Sequence, residues 1–323
     1  GVTWNLDRKG LFNWKDVEKG NFEKKVKTFF SRERIFQFIK DYIIFFKKDD
    51  VLSKIILRQH QTRAVEKIID RALDEKKKTG LIWHAQGSGK TFTMIVAAEK
   101  ILEQPEFEKP TVVMLVDRNE LESQLFRNLD AYGFKLDEGM KIADSKKDLQ
   151  DLLSSDYRGL IVSMIHKFEV MPKNINTRDN VFVLVDEAHR TTSSDLGNYL
   201  MAALPNATYF GFTGTPVDRI LYGKGTFKIF GKDDEKGYLD KYSIAESIED
   251  GTTVPLHYAL APSEIRVPKE MLEKEFFAMM EKEGVSDIDE LNKLLERAVS
   301  LRNFLKSKDR VKKVAEFVAK HYK

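Results

Sequence analysis

Short apolar runs alternate with amphipathic stretches along the middle of the chain, from Ile55 to about Asp250. Each apolar run has the length of a buried strand, and these runs predict strands over 80–84, 111–116, 159–165, 181–186 and 208–213. Apolar residues at helical spacing predict helices between them, over 62–76, 90–103, 119–132 and 194–204. Continuous hydrophobic strands separated by helices favour an α/β fold in which helices cover both faces of a parallel sheet.

Both flanks of the chain carry helical patterns. Before residue 55, lysines alternate with aromatic and aliphatic residues, and helical spacing continues through "YIIFF" (42–46), so we expect one or two helices there. Near the other end, Ser286 is a cap signal before an apolar stripe, and 310–323 has the pattern of another helix. We therefore expect three parts: a helical linker over 1–54, an α/β domain over 55–252 and a helical segment over 253–323.

The composition excludes several classes of protein. Hydrophobic residues make up 42% and charged residues 33% of the 323 positions, which is typical of a globular domain. No window approaches the run of about 18 apolar residues that a membrane helix needs, and there is no cleavable signal pattern. The lack of cysteine excludes disulfides and thiolate metal sites and fits a cytoplasmic location. The net charge of +3 is small, so nucleic-acid binding would have to come from a local basic patch.

A glycine-rich stretch, "HAQGSGKT" (84–91), lies between the first predicted strand of the α/β region and a predicted helix. This context is typical of a phosphate-binding loop, in which backbone N–H groups and the helix N-terminus face the phosphates. Lys90 is expected to reach the β- and γ-phosphates and Thr91 to hold Mg²⁺; the alternative is a chance glycine-rich turn. The general pattern has glycine where His84 stands. The expected nucleotide-binding residues of the loop are His84, Ala85, Gln86, Gly87, Ser88, Gly89, Lys90 and Thr91.

A phosphate-binding loop needs a partner carboxylate on a neighbouring strand, and "VFVLVDEAHR" (181–190) supplies two. Ligands of such sheets bind at the carboxyl ends of the strands. We expect Asp186 to bind Mg²⁺, directly or through water, and Glu187 to orient and deprotonate the attacking water. An ordinary acidic turn after a strand is the alternative. His189 and Arg190 are either surface residues or, as we expect, a link from the nucleotide to the rest of the machinery.

These stretches together resemble a known family. "GSGKT", "DEAH" and "TGTP" (213–216) resemble, in this order, motifs I, II and III of superfamily 2 helicase-type ATPases. "ILRQHQTRAV" (56–65) resembles the adenine-reading glutamine motif of that family, with Gln61 at the matching position. The resemblance implies a RecA-like fold, with ATP and Mg²⁺ as cofactors. The catalytic residues it implies are Lys90, Asp186, Glu187 and His189, and the residues it implies for coupling are Arg190, Thr213 and Thr215.

A narrower resemblance is to the motor subunit of type I restriction enzymes, carried by "IWHAQGSGKT", "VDRNEL", "HKF", "VDEAHR", "GFTGTP" and "YSIAESIEDGTTVPLHY". That subunit typically has Trp-His before its loop, so His84 is the family's own version of the pattern. The resemblance spans about 55–265 and implies double-stranded DNA and the modification and specificity subunits as partners. It also implies contacts to the DNA backbone, where a solvated loop end is the alternative, by Arg118, Asn119, Ser163, His166 and Lys167.

Two features of such a subunit are missing from the sequence. The arginine-finger motif of the second motor domain, Q-x-x-G-R-x-x-R, does not occur, and there is no convincing nuclease carboxylate cluster within 1–54. We therefore expect a fragment, in which 253–323 is a helical connection or the start of the second motor domain. The expected function is an ATP-dependent translocase module for double-stranded DNA. The alternatives are a strand-separating helicase on DNA or RNA, a nuclease subunit in its own right and a nucleotide-dependent scaffold without motor activity.

Overall fold

A seven-stranded parallel sheet forms the centre of the larger of the two units into which the chain divides, Gly1–Pro255 and Leu256–Lys323. The computed structural model describes residues 21–48, 51–116, 139–190, 196–216, 225–254 and 308–321. Among these residues, no helix combines the length and the apolar character that a bilayer span requires.

The strands are β1 (Ile43–Lys48), β2 (Val51–Ile56), β3 (Thr79–His84), β4 (Thr111–Val116), β5 (Met140–Ile142), β6 (Gly159–Met164), β7 (Val181–Val185), β8 (Thr208–Thr213) and β9 (Asp240–Tyr242). The helices are α1 (Phe22–Phe29), α2 (Arg32–Gln37), α3 (Gln59–Ala72), α4 (Lys90–Glu103), α5 (Lys146–Ser154), α6 (Leu196–Ala203), α7 (Thr226–Phe230), α8 (Ile244–Glu249) and α9 (Lys308–His321). The sheet order is β5–β6–β4–β7–β8–β3–β9, and every pair of neighbours is parallel. β1 and β2 form a separate antiparallel hairpin.

Both faces of the central strands are buried, because successive side chains point to opposite sides of the sheet. On one face, Ile82 of β3 lies in a hydrophobic cluster with Ile68 of α3 and Ile95 of α4. On the other face, Val183 of β7 lies in a second cluster with Leu149 of α5. Helices therefore cover both faces of a parallel sheet, and the predicted α/β fold with a RecA-like sheet is confirmed.

The predicted strands are all present, each within one residue of its expected ends. Two further strands, β5 and β9, were not predicted, because each has only three residues and carries charged side chains instead of an apolar run. α4 has its expected bounds, and α9 overlaps the helix expected over 310–323. The helix expected over 119–132 and the one expected after Ser286 lie outside the described residues.

The helical prediction for "YIIFF" is wrong from Ile43 onward. Residues 43–48 form β1, which pairs with β2 so that Ile43 lies opposite Ile56 and Ile44 opposite Ile55. Cross-strand pairs of β-branched residues stabilise such a hairpin. The helical prediction failed because the spacing of apolar residues within one segment does not reveal that a second segment pairs with it. The part of the chain expected to be a helical linker thus contains α1, α2 and most of a hairpin.

Candidate nucleotide-binding site

The loop between β3 and α4 has the backbone of a phosphate-binding loop. β3 ends at His84, and Lys90 and Thr91 are the first two residues of α4. Gly87 and Gly89 have φ angles of 79° and 81°, in the left-handed region that other residues adopt only with strain. The structure therefore places residues 84–91 in the predicted order of strand, loop and helix.

Gln61 of α3 is held against the end of this loop. Its Nε2 donates a hydrogen bond to the Gly89 carbonyl (3.0 Å), and its Oε1 accepts one from the Arg58 N–H (2.9 Å). A Cβ at Gly89 would lie 2.7 Å from Gln61 Nε2, so only glycine leaves room for the glutamine. The residue expected to read adenine thus contacts Gly89, the residue directly before the phosphate-facing helix.

Three charged groups converge beside the loop. Burial lowers the pKa of Lys90 below its usual value, and the negative charges of Glu187 and Asp186 partly oppose this shift. The Lys90 ammonium also donates a long hydrogen bond to the His84 carbonyl (3.5 Å). The fold therefore brings the loop lysine within electrostatic range of both carboxylates, although their positions are 96 and 97 residues away in sequence (186 − 90 and 187 − 90).

The carboxylates follow β7, which is separated from β3 in the sheet by β8. Asp186 N–H donates to the Leu115 carbonyl of β4 (2.8 Å), so the chain is still attached to the sheet at this position. At Glu187 the backbone turns sharply, with a φ of 46°. For a residue with a side chain this conformation costs on the order of 1–3 kcal/mol and is typical of functional sites.

A hydrogen-bonded path leads from these carboxylates to the end of β8. His189 Nδ1 lies 3.4 Å from Glu187 Oε2 and shares a 2.8 Å hydrogen bond with the buried Thr213 hydroxyl. The same hydroxyl accepts the Thr215 N–H (3.1 Å). The structure thus joins four of the residues predicted for catalysis and coupling, Glu187, His189, Thr213 and Thr215, while Arg190 is exposed.

Three of the residues predicted to contact DNA, Ser163, His166 and Lys167, lie within the described part of the chain. Arg118 and Asn119 lie outside the described residues, and His166 is exposed. Ser163 is fully buried in β6, and Lys167 is 7% exposed and donates to the Ala143 carbonyl (2.5 Å). Both side chains thus point into the protein here, and their contacts to the DNA backbone stay a prediction. In the motif "HKF" only His166 is exposed, and Lys167 and Phe168 are both buried, which the resemblance alone did not reveal.

One buried carboxylate of the site was not predicted. Asp240 of β9 is 1% exposed and accepts hydrogen bonds from Arg63 Nε (2.8 Å), Lys67 Nζ (2.8 Å) and His84 Nε2 (2.7 Å). β9 is too short and polar to be recognised as a strand, although its last residue, Tyr242, begins the stretch "YSIAESIEDGTT" that contributes to the family resemblance. The position of Asp240 just before this stretch is the sequence signal that could have identified it as a site residue.

The described residues fit a nucleotide with Mg²⁺. The two left-handed glycines open the loop, and a Cβ at Gly87 would meet no atom within 4 Å. The buried Ser88 hydroxyl has no hydrogen-bond partner among the described residues, and Lys90 supplies a positive charge. That part of the chain has no cluster of three or more His, Cys, Asp or Glu side chains for a metal ion.

A parallel sheet with a glycine loop, its lysine and two carboxylates at the strand ends defines a P-loop nucleoside triphosphatase. The family model that matches the chain, over residues 60–289, is described as the SWI2/SNF2 ATPase. The chain belongs to this family and carries its ATPase domain, which also confirms the predicted helicase-type ATPase.

The chain is also similar to endonuclease subunits of type I restriction enzymes. A Methanocaldococcus jannaschii protein named as such a subunit, MjaIXP, is 30% identical over 306 residues, which cover 91% of this chain and 28% of the relative. The HindI endonuclease subunit of Haemophilus influenzae is 33% identical over 291 residues, 80% of this chain and 27% of the relative. The chain thus spans little more than a quarter of either relative.

Among solved structures, the Type ISP restriction-modification enzyme LlaBIII bound to DNA matches 61% of this chain and 16% of its own. The sequence identity is 18% and the TM-score 0.42.

Proposed function

We propose that the chain is the ATP-binding module of a motor that translocates double-stranded DNA, within a subunit of a type I restriction enzyme. The observation that carries the ATP part of this proposal is the loop between β3 and α4, with left-handed backbone at Gly87 and Gly89 and with Lys90 as the first residue of α4. The hydrogen bond between His189 and Thr213 adds a path from this site to the third helicase-type motif.

In this proposal each residue has one chemical task. Bound ATP with Mg²⁺ supplies the phosphoryl group whose transfer to water releases the energy for movement. Lys90 and the backbone N–H groups of the loop bind phosphate oxygens, and Thr91 and Asp186 are the protein ligands of Mg²⁺. The Glu187 carboxylate orients the attacking water and accepts its proton. His189, Thr213 and Thr215 move together when the charge beside Glu187 changes.

The proposed partners are double-stranded DNA and the modification and specificity subunits of a restriction complex, in the cytoplasm. Support comes from the similarity to endonuclease subunits of type I restriction enzymes. Arg118, Asn119 and His166 are the proposed contacts to the DNA backbone, which position a protein on DNA without reading its sequence. The predicted contacts of Ser163 and Lys167 stay part of the proposal, although both side chains are buried in this structure.

The proposed organisation has three parts. Residues 1–54 precede the motor, 55–252 form the first motor domain, and 253–323 connect to the second motor domain or begin it. The arginine that completes the ATP site is then supplied by residues beyond this chain.

The decisive experiment compares two assays on the complete subunit, assembled with its modification and specificity subunits. We expect ATP-dependent displacement of a third strand from a DNA triplex, without separation of the duplex strands. Glu187→Gln is the control, because glutamine has nearly the same shape as glutamate but cannot act as a base. This variant should still bind ATP, and it should displace the third strand at least ~10²-fold more slowly. Robust unwinding of a tailed duplex by the unmodified complex would identify a strand-separating helicase instead.

A further inference from the structure

Asp240 lies where three elements of the nucleotide site meet. Arg63 and Lys67, which bind its carboxylate, come from α3, the helix that also carries Gln61. His84 comes from the end of β3, where the phosphate loop begins. Burial by itself would raise the pKa of Asp240. The hydrogen bonds from His84 and Arg63 lower this pKa, and together with the nearby positive charges they outweigh the effect of burial, so the pKa lies below the usual range. A buried carboxylate thus holds the two elements that flank the nucleotide.

The contact with Asp240 fixes the orientation of the His84 ring. An ionised carboxylate only accepts hydrogen bonds, so His84 Nε2–H is the donor. Burial lowers the pKa of His84, although the hydrogen bond and charge of Asp240 oppose the shift. The other ring nitrogen, Nδ1, has no hydrogen-bond partner among the described residues, so the contact with Asp240 is the one that orients the ring.

The anchored ring determines where the His84 carbonyl lies. This carbonyl accepts the hydrogen bond from Lys90, and it also lies against Gly214 of the third motif. A Cβ at Gly214 would be 3.2 Å from the His84 oxygen and 3.1 Å from Gln86 N, so the two backbones are in close contact. Movement of the ring would therefore displace the lysine partner and the third motif together.

The residues around Asp240 hold the following part of the loop as well. Ala85 N–H donates to the Tyr242 carbonyl (2.9 Å), and the Thr253 hydroxyl donates to the Gln86 carbonyl (3.3 Å). The Tyr242 ring stacks on His60 at 3.8 Å, and His60 Nε2 hydrogen-bonds the Ser88 carbonyl (2.9 Å). Residues 240–253 thus brace the loop at three points before the glycine that precedes Lys90.

We propose that Asp240 and His84 are positioning residues of the nucleotide site, which hold the phosphate loop in the shape that receives a nucleoside di- or triphosphate. The inference deepens the proposed function and depends on it, because it assumes a nucleotide in this loop. It assigns a role to the non-glycine first position of the loop: its side chain anchors the loop to β9.

A structural pair elsewhere on the same helix provides a matched control. Arg71 of α3 forms a buried ion pair with Asp234 (2.6 Å) and donates to the Thr79 carbonyl, at the start of β3. This pair also ties α3 to the region before β9, but it lies at the end of β3 away from the loop. Its loss should reduce stability and leave the loop in place.

The experiment measures binding of Mg·ADP and Mg·ATPγS to the 323-residue chain by calorimetry, together with thermal unfolding without nucleotide. His84→Phe removes the donor and should weaken binding by ~10-fold or more, since small misplacements in a site have effects of this size. His84→Gln retains an N–H for Asp240 and should restore most of the affinity. Asp234→Asn should lower the unfolding temperature while binding as tightly as wild type.

Arg63→Gln provides a second variant, because Arg63 is 34% exposed and its replacement leaves the core unchanged. It should also weaken binding, and it decides the matter if His84→Phe does not fold. Wild-type affinity in Arg63→Gln and in any folded His84→Phe would overturn the positioning role, as would equal losses of affinity in Asp234→Asn. Undiminished binding by Lys90→Ala, or none by wild type, would instead refute the proposed function, and the positioning role with it.

Discussion

At the residue scale, His60 is a buried titratable side chain that contacts the phosphate loop through the Ser88 carbonyl. Burial lowers its pKa from 6.5 to about 4, while the hydrogen bond to the Ser88 carbonyl opposes the shift. In the pH range between these values the unfolded chain binds a proton that the folded chain does not. The contribution of the neutral His60 to the free energy of unfolding is therefore lost as the pH falls through this range.

We predict that His60→Phe makes stability less sensitive to acid. Phenylalanine keeps a ring to stack on Tyr242 but cannot titrate. Between pH 7 and pH 5, the unfolding free energy of the wild type should fall by about 2 kcal/mol more than that of the variant. Urea unfolding at both pH values measures this difference. Equal losses in the two proteins would show that His60 is not a neutral, buried ring.

At the scale of elements, the sequence predicts what is encoded within one continuous segment. β4 and β7 are uninterrupted apolar runs, and α4 follows directly from the glycine loop, so all three are found where expected. β1 and β9 depend on partners outside their own segments: the next strand, β2, for β1, and the distant β3 for β9. The pairing of β1 with β2 overrides a helical pattern, and β9 is held by its parallel register with β3 and by ion pairs to α3.

The same distinction applies to the nucleotide site. The loop, its lysine and the carboxylates of β7 are adjacent in short motifs, and so could be identified by residue type. Asp240 is 156 residues from His84, and no local pattern relates them (240 − 84). The burial of Lys167 was missed for a similar reason, since its carbonyl partner, Ala143, follows the unpredicted strand β5.

α8 provides a prediction at this scale. Its N-cap, Ser243, accepts a hydrogen bond from Glu246 N–H (3.2 Å), and α8 lies within the segment that braces the loop. Ser145 caps α5 in the same way (3.0 Å), but away from the loop. Each serine-to-alanine change should lower the unfolding free energy by about 1 kcal/mol. Only Ser243→Ala should also weaken Mg·ADP binding, measured by calorimetry; equal affinity in both variants would contradict this.

At the scale of the whole molecule, the proposed reaction needs a group from a second motor domain. Helicase-type ATPases hydrolyse ATP between two domains, and an arginine from the second stabilises the charge on the transferring phosphoryl group. No arginine-finger motif occurs in the 323 residues. A chain with a complete loop but no finger should therefore bind nucleotide well and hydrolyse it slowly.

We predict that the turnover of ATP by this chain is ~10³- to 10⁵-fold below that of the complete subunit with DNA, which is the usual effect of such an arginine. Steady-state phosphate release measures both rates, and Lys90→Ala gives the background of each protein. Comparable rates for the chain and the complete subunit would mean that the finger is already present within residues 1–323.

The left-handed backbone at Glu187 has a consequence for the timing of the reaction. In an extended strand, Asp186 and Glu187 would face opposite sides of the sheet, yet both act on Lys90. The turn that brings them to one side is formed when the protein folds, before any ligand arrives. Its energetic cost is thus met once per molecule rather than once per cycle, and each incoming nucleotide encounters a preorganised pair of carboxylates.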